Sequence, residues 1–315
     1  MKYLIIICIL FRSGPSNAQR IGPDVKRIVF LGNSITYNGA YINDVEAYLL
    51  AFSPAIQYDI INLGLPSETV SGLSEEGHAN GRFPRPDLHE RLARVMTATK
   101  PDMILACYGM NDGIYLPLDS NRFRLFRDGI EWLHAQVVKS GARLVHITPP
   151  VYDERKNPGI IYSAVLKRYS GWLMSLRKDR KWEVIDVHSP MVAYLEAHRK
   201  VDDAFHLDGF ALAVDGVHPA ETGHWIIARE ILSYLGFKAA NKFSSIEEAL
   251  KAHGHGLEIL NLVRRKHQLS RDAWLTETKH TRPGIVDGLP IVQALDSVTQ
   301  INARLKLLIT VPSHN

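Results

Sequence analysis

The chain has 315 residues, 46% hydrophobic and 22% charged, a balance that supports a large apolar core and excludes disordered, collagen-like and disulfide-scaffolded chains. Its two cysteines, Cys8 and Cys107, are too few for a Cys-based zinc or iron–sulfur site. The 37 basic and 33 acidic residues leave a charge of +4, and no basic cluster or nucleic-acid motif concentrates the excess, so no nucleic-acid partner is expected.

Lys2 precedes an apolar run from Tyr3 to Phe11, and the polar stretch after it ends in Ser16-Asn17-Ala18, with small residues three and one positions before a cut. Residues 1–18 therefore read as a secretory signal peptide, and the chain as exported, either periplasmic or secreted. An apolar run of roughly nine residues falls far short of the ~20 needed to cross a bilayer, so no stable membrane insertion is expected. A lipid anchor on Cys8 is the weaker rival, because the run before it is short and lacks small side chains. Cleavage after Ala18 removes Lys2, Arg12 and Cys8, leaving Cys107 with no internal disulfide partner.

Beyond the signal, short β-branched runs alternate with longer segments of helical period, the pattern of an α/β chain with a mainly parallel sheet. Strands are expected at Arg27–Leu31, Tyr58–Leu63, Met103–Tyr108, Arg143–Thr148 and Glu183–Val187, each almost continuously apolar as befits strands covered on both faces. Crossover helices are expected at Tyr41–Phe52, Leu88–Thr99, Asn121–Ser140 and Ile160–Lys178, where apolar residues recur at three- and four-residue spacing. A last helix from about Ala220 to Leu235 completes a unit at residues 19–240. Residues 241–315 carry helical patterning at Ile246–Leu262, His267–Leu275 and Ile291–Leu308, broken at Arg282-Pro283-Gly284 and Gly288-Leu289-Pro290, and read as an α-helical C-terminal extension.

The first strand runs into Gly32-Asn33-Ser34, which sets Ser34 beyond the C-terminal end of a central strand, where open α/β sheets carry their sites. Ser34 is a candidate nucleophile by position; a helix-capping serine would look the same. Asp215-Gly216-Val217-His218-Pro219 stands ahead of the last helix. A turn there brings positions three apart to one side, so that Asp215 accepts from Nδ1–H of His218 and leaves Nε2 for Ser34; a loop that merely carries an Asp and a His is the alternative. Asn62-Leu63-Gly64 and Gly109-Met110-Asn111-Asp112 close the second and third strands. Backbone amides and an Asn side chain there suit an oxyanion hole, since they donate without a titratable charge. Taken singly, each is also an ordinary turn.

In this order, each at a strand end, the four segments resemble the blocks of the SGNH hydrolases, also called the GDSL esterase/lipase family. The resemblance spans essentially the whole of the first unit. It implies a flavodoxin-like three-layer α/β/α sandwich with parallel sheet order 2-1-3-4-5. It further implies Ser34 as nucleophile, His218 as general base and then acid, Asp215 as its orienting partner, and an oxyanion hole from the Ser34 and Gly64 amides and the Asn111 side chain. No metal or organic cofactor is implied. Asn33 stands where the commoner motif has Asp and Ile35 where it has Leu; an Asn can hold the turn through its side chain, and the departure counts against the lipolytic branch. The C-terminal extension lies outside the resemblance.

The resulting expectation is a serine esterase cleaving short-chain, acetyl-type O-esters on a small-molecule or polysaccharide substrate, most readily a carbohydrate. A short-chain lipase or thioesterase, or an acyltransferase, is the close alternative, and a non-catalytic glycan-binding protein on the same fold is the alternative from another class. Tyr37, Tyr41, Tyr115, Tyr152 and Trp225 are candidates for stacking on sugar rings, against a packing role. Asp202-Asp203-Ala204-Phe205-His206-Leu207-Asp208 and His253-Gly254-His255 offer metal-type ligands without a matching set, and read better as solvated loops. His280, Arg282 and Pro283 lie in a turn between helices that either stays at the surface or reaches the rim of the site.

Overall fold

The computed structural model describes residues 21–22, 24–205 and 209–310; the signal-peptide segment, with Cys8, and His206, Leu207 and Asp208 lie outside them. In chain order the elements are β1 (Arg27–Gly32), α1 (Ser34–Asn38), α2 (Ala40–Phe52), β2 (Asp59–Gly64), α3 (Leu88–Thr99), β3 (Met103–Cys107) and α4 (Ser120–Lys139). They continue with β4 (Arg143–Ile147), α5 (Ser163–Asp179), β5 (Glu183–Ile185), α6 (His188–Phe205), α7 (Glu221–Tyr234), α8 (Ile246–Leu250), α9 (Gly256–Glu277) and α10 (Ile291–Thr310).

The five strands form one parallel sheet in the order β2-β1-β3-β4-β5, the flavodoxin-like order expected. Gly32 pairs with both Gly64 and Cys107, so β1, β2 and β3 end level with one another. The strand order reverses between β1 and β3, and the crevice beyond their carboxyl ends is where such sheets bind ligands. Val29, Leu31, Ile61, Leu63, Ile104 and Leu105 are all buried, which fits strands covered by helices on both faces.

On one face α2 packs with α7 and α9. On the other, α3 meets α4 through the stacked rings of His89 and Trp132, and α4 meets α5 through Phe126 and Tyr169. Cys107 is a buried free thiol whose ionisation burial pushes up to about 12, so it behaves as a small apolar side chain.

Two helical expectations need correction. Helix α6 was not expected, because its buried stripe is narrow: His188, Met191 and Leu195 are its buried residues. In the extension, the expected Ile246–Leu262 helix divides into α8 and α9, and α9 then runs unbroken through the expected gap at 263–266. The division falls at Gly256, where any Cβ would collide with the Leu250 carbonyl. The run through the gap is hidden in the sequence because the buried stripe of α9 includes the polar Lys266, His267 and Ser270.

The extension is seated by an ionic cluster rather than by apolar contact alone. Lys266 Nζ donates to Glu46 Oε1 of α2, and His267 Nε2 stands 2.6 Å from Glu46 Oε2, all three side chains buried. Burial works against the Glu46 charge, but Lys266 and then His267 outweigh it and bring its pKa down to about 2. Helix α9 also runs along the edge strand β2, and α10 packs on α9.

Candidate active site

β1 delivers the chain into Asn33, whose Oδ1 accepts from Ile35 N–H at 3.1 Å and caps α1. The cap is thus Asn33, and Ser34 is the first helical residue, with an N–H that the helix leaves unused. The Asn found in place of the commoner Asp holds the turn as expected, through a neutral acceptor.

Across the crevice, Asp215 Oδ1 accepts from the backbone N–H groups of Val217 and His218, at 2.9 and 2.8 Å. This local turn, with Gly216 at φ 83, swings the His218 ring over its own carboxylate: Nδ1 lies 2.6 Å from Asp215 Oδ2. A carboxylate only accepts, so Nδ1 carries the proton and Nε2 presents a lone pair. Nε2 lies 2.8 Å from Ser34 Oγ. Partial burial raises the Asp215 pKa, but the hydrogen bonds from the His218 ring and from the two amides hold it below the usual carboxylate range. The His218 and Asp215 side chains are 52% and 55% exposed, so the relay opens directly to solvent.

Asn111, at the end of β3, is fixed by two bonds: Nδ2 donates to the Glu68 carbonyl at 3.1 Å, and Oδ1 accepts from Tyr115 OH at 3.0 Å. One Nδ2 hydrogen remains. Gly64 closes β2 as expected, but it does not offer the donor the resemblance implies. Its N–H already donates to Asn62 Oδ1 at 2.9 Å, and a Cβ there would collide with Tyr37 N and Thr36. Gly64 thus serves the close passage of β2 under α1 and has no free donor to offer.

Three residues on, the chain makes a turn over Leu65-Pro66-Ser67-Glu68, closed by Glu68 N–H to the Leu65 carbonyl at 3.1 Å. Pro in the second place and a left-handed φ of 67° at Ser67 in the third give the signature of a type II turn, in which Gly or Asn is usual. Among the described residues nothing accepts from Ser67 N–H.

Two buried carboxylates tie these segments together, and the sequence did not single them out. Asp112 Oδ1 accepts from Val70 and Ser71 N–H at 2.8 and 2.9 Å, and its Oδ2 from Gly109 N–H at 2.8 Å. Burial raises its pKa, with the three amides pulling the other way. Glu68 is gripped by Arg91 through Nε and Nη2, at 2.5 and 2.7 Å, and by Tyr108 OH at 2.6 Å. Both join the loop after β2 to β3 or α3. Their signal was available only as charge within an apolar context, next to Asn111 and Ser67.

Of the aromatic candidates, Tyr41, Tyr152 and Trp225 are buried and unavailable for ring stacking. Tyr41 OH lies 3.0 Å from Thr36 Oγ1, and Trp225 Nε1 donates to the Phe243 carbonyl at 2.9 Å. Tyr37 and Tyr115 are partly buried and keep some exposed surface.

Among the described residues no group of three His, Cys, Asp or Glu side chains converges as a metal site. Asp203 pairs with Arg155, Asp202 accepts from Phe210 N–H, and His253 Nδ1 accepts from His255 N–H. Among the same residues no helix is long and apolar enough to cross a membrane. Arg282 does reach the site, donating through Nε to the Pro66 carbonyl at 2.9 Å.

The fold is shared with solved structures of low sequence identity. A catalytic mutant of Axe2, an acetylxylan esterase from Geobacillus stearothermophilus, aligns at 21% identity over 69% of this chain and 97% of its own, with a TM-score of 0.52. LAE5, an alpha/beta hydrolase enzyme from the metagenome of Lake Arreo, Spain, aligns at 21% over 70% and 98%, with a TM-score of 0.53. BT4096, a gut microbial diltiazem-metabolizing enzyme, aligns at 22% over 70% of this chain and 49% of its own, with a TM-score of 0.50. No curated protein matches the sequence. The model of the GDSL-like Lipase/Acylhydrolase family matches residues 30–226, a span that holds all four segments and excludes the C-terminal extension. The chain belongs to the GDSL-like lipase/acylhydrolase family and is an SGNH-type hydrolase of carboxylic esters.

Proposed function

We propose that the protein is an exported O-acetyl esterase acting on carbohydrate, through an acyl-enzyme on Ser34. The observation that carries the mechanism is the relay of Ser34 Oγ, His218 and Asp215 at 2.8 and 2.6 Å. Ser34 Oγ attacks the ester carbonyl while Nε2 of His218 takes its proton, and Asp215 stabilises the imidazolium that forms. The carbonyl oxygen becomes an oxyanion, held by Ser34 N–H, Ser67 N–H and the free Nδ2 hydrogen of Asn111. His218 returns its proton to the departing alcohol oxygen as the C–O bond breaks. Water then attacks the acyl-enzyme, losing a proton to His218, which protonates Ser34 Oγ as the acid leaves.

What supports a carbohydrate ester is the openness of the relay, since half-exposed His218 and Asp215 side chains admit an acyl group displayed on a bulky polar chain. The acetylxylan esterase activity named for a structural relative is consistent with that choice. Purified protein and Ser34→Ala are to be compared on p-nitrophenyl esters from acetyl to long chain and on acetylated xylan and pectin. Acetate selectivity with release of acetate from a glycan is expected, and turnover lost in Ser34→Ala. A long-chain optimum would redirect the assignment to a lipase, and turnover surviving in Ser34→Ala would sink the serine mechanism. Export is tested by N-terminal sequencing of the mature protein, expected to begin at Gln19.

A further inference from the structure

The turn that carries Arg282 is tied down at both ends. Arg94 of α3 donates through Nε to the Thr278 carbonyl at 2.9 Å and through Nη2 to the Lys279 carbonyl at 3.0 Å. At the far end Gly288 N–H donates to Thr276 Oγ1 at 2.8 Å, and a Cβ at Gly288 would collide with the backbone of Asp272. Helix α9, from which the turn departs, is itself fixed to α2 by the buried Glu46–Lys266–His267 cluster. The chain between these anchors is short, and it carries Arg282, whose side chain hydrogen-bonds the loop after β2. Among the described residues Arg282 forms no ion pair with a carboxylate. Its guanidinium lies 5.4 Å from the centre of the Phe83 ring, Nη1 donates to the Pro283 carbonyl at 2.9 Å, and Nε to the Pro66 carbonyl.

The Pro66 carbonyl and Ser67 N–H belong to one peptide unit. That unit is planar and trans, so the two point in opposite directions and cannot be oriented independently. A donor fixed on the carbonyl side fixes the direction of the N–H, and a cationic donor also polarises the unit toward a stronger N–H donor. The left-handed φ at Ser67, adverse for a residue with a Cβ, makes the peptide plane one that needs holding. A second arginine of the extension treats the nucleophile helix similarly: Arg271 Nη1 donates to the Tyr37 carbonyl at 2.8 Å, with its guanidinium 4.0 Å from the Tyr37 ring centre.

We propose that Arg282 is a positioning residue for ester hydrolysis, holding the Pro66–Ser67 peptide so that Ser67 N–H faces the oxyanion, and that the C-terminal extension serves to deliver it. The inference rests on the assignment of Ser34 as nucleophile and Ser67 N–H as an oxyanion donor. Since the oxyanion exists only in the transition state, the loss of Arg282 falls on kcat and spares KM.

Arg282→Met keeps an apolar stem against Phe83 and removes the donors; Arg282→Lys keeps one donor and the charge. With p-nitrophenyl acetate, kcat is expected to fall about tenfold or more in Arg282→Met, with KM within about twofold, and to recover in part in Arg282→Lys. Thermal midpoints of the folded variants are measured alongside. A folded Arg282→Met with kcat within about twofold of wild type, or a lysine variant no faster than the methionine one, overturns the proposal. If Arg282→Met does not fold, Arg282→Ala is read in its place: a lowered kcat at constant KM supports the proposal and an unchanged kcat refutes it. Labelling with a fluorophosphonate separates the two levels. If wild type is not labelled at Ser34, the active-site assignment itself fails; if it is labelled and Arg282→Met keeps its turnover, only the role of Arg282 falls.

Discussion

Asp112→Asn is the substitution that most directly probes how the site is held together. It changes no volume and touches neither Ser34 nor His218, yet Asp112 joins Val70, Ser71 and Gly109 through three amide hydrogen bonds. An asparagine can keep Oδ1 as acceptor for Val70 and Ser71, but its Nδ2 then faces Gly109 N–H, donor against donor. The lost bond to a charged acceptor is worth about 1.5 to 3 kcal/mol, and the stranded Gly109 N–H costs about 1 to 3 more. Burial already disfavours the Asp112 charge, so its removal offsets part of this, leaving a net loss of about 2 to 4 kcal/mol. At about 2 °C per kcal/mol for a chain of this size, the midpoint falls by about 4 to 8 °C. The displacement is largest at Gly109, two residues before Asn111, so kcat on p-nitrophenyl acetate is expected to fall well beyond KM. Calorimetry or circular dichroism with steady-state kinetics measures both. An Asp112→Asn protein with an unchanged midpoint and unchanged kcat would show that this carboxylate ties nothing together.

Asn111→Ala removes one of the proposed oxyanion donors, and turnover is expected to drop about 10²- to 10³-fold, leaving activity above a Ser34→Ala background; equal losses in the two variants would contradict separate roles. Glu46→Gln leaves Lys266 buried without a countercharge and is expected to cost about 3 to 5 kcal/mol in urea unfolding, the cost of breaking a buried pair; a neutral result would mean that α9 is held by apolar packing alone. The Glu46 pKa is lowered from 4.5 to about 2, so its stabilisation is complete above the unfolded value and disappears as pH falls through that window. Asp44 behaves in the opposite sense. Burial first, then Glu247 and Glu221 against Arg264, raises its pKa from 3.8 to about 8, so the folded chain retains a proton there that the unfolded chain releases. Stability therefore declines as pH rises between about 4 and 8. Asp44→Asn is expected to raise the midpoint more at pH 8 than at pH 5, and a pH-independent difference would refute the assignment.

Much of the fold was legible because its signals are local. Five β-branched runs and the helices between them follow from side-chain periodicity, and the parallel order 2-1-3-4-5 came with the family resemblance. Ser34, Asp215 and His218 were legible because each sits at a strand end or a loop-to-helix junction, and the Asp215 turn is specified by residues three apart. Buried polar residues were hidden where a polar side chain normally marks solvent: Lys266 fell in the expected gap at 263–266, Asp112 passed as part of a turn, and Glu68 was not singled out.

The sequence by itself determined the α/β class, the candidate positions Ser34, Asp215 and His218, and the existence of a helical extension, since these rest on periodicity and on short-range spacing. Only the tertiary structure decided which amides are free. The Gly64 N–H, a donor by its place in the chain, is taken up by Asn62, whereas Ser67, with a positive φ and an unpaired N–H, is the candidate the structure offers instead. The same holds for the extension, whose Arg282 is 216 residues from the carbonyl it grips. Hydrogen-bond occupancy and contacts across such separations depend on how the layers close on one another, which no local pattern in the chain encodes.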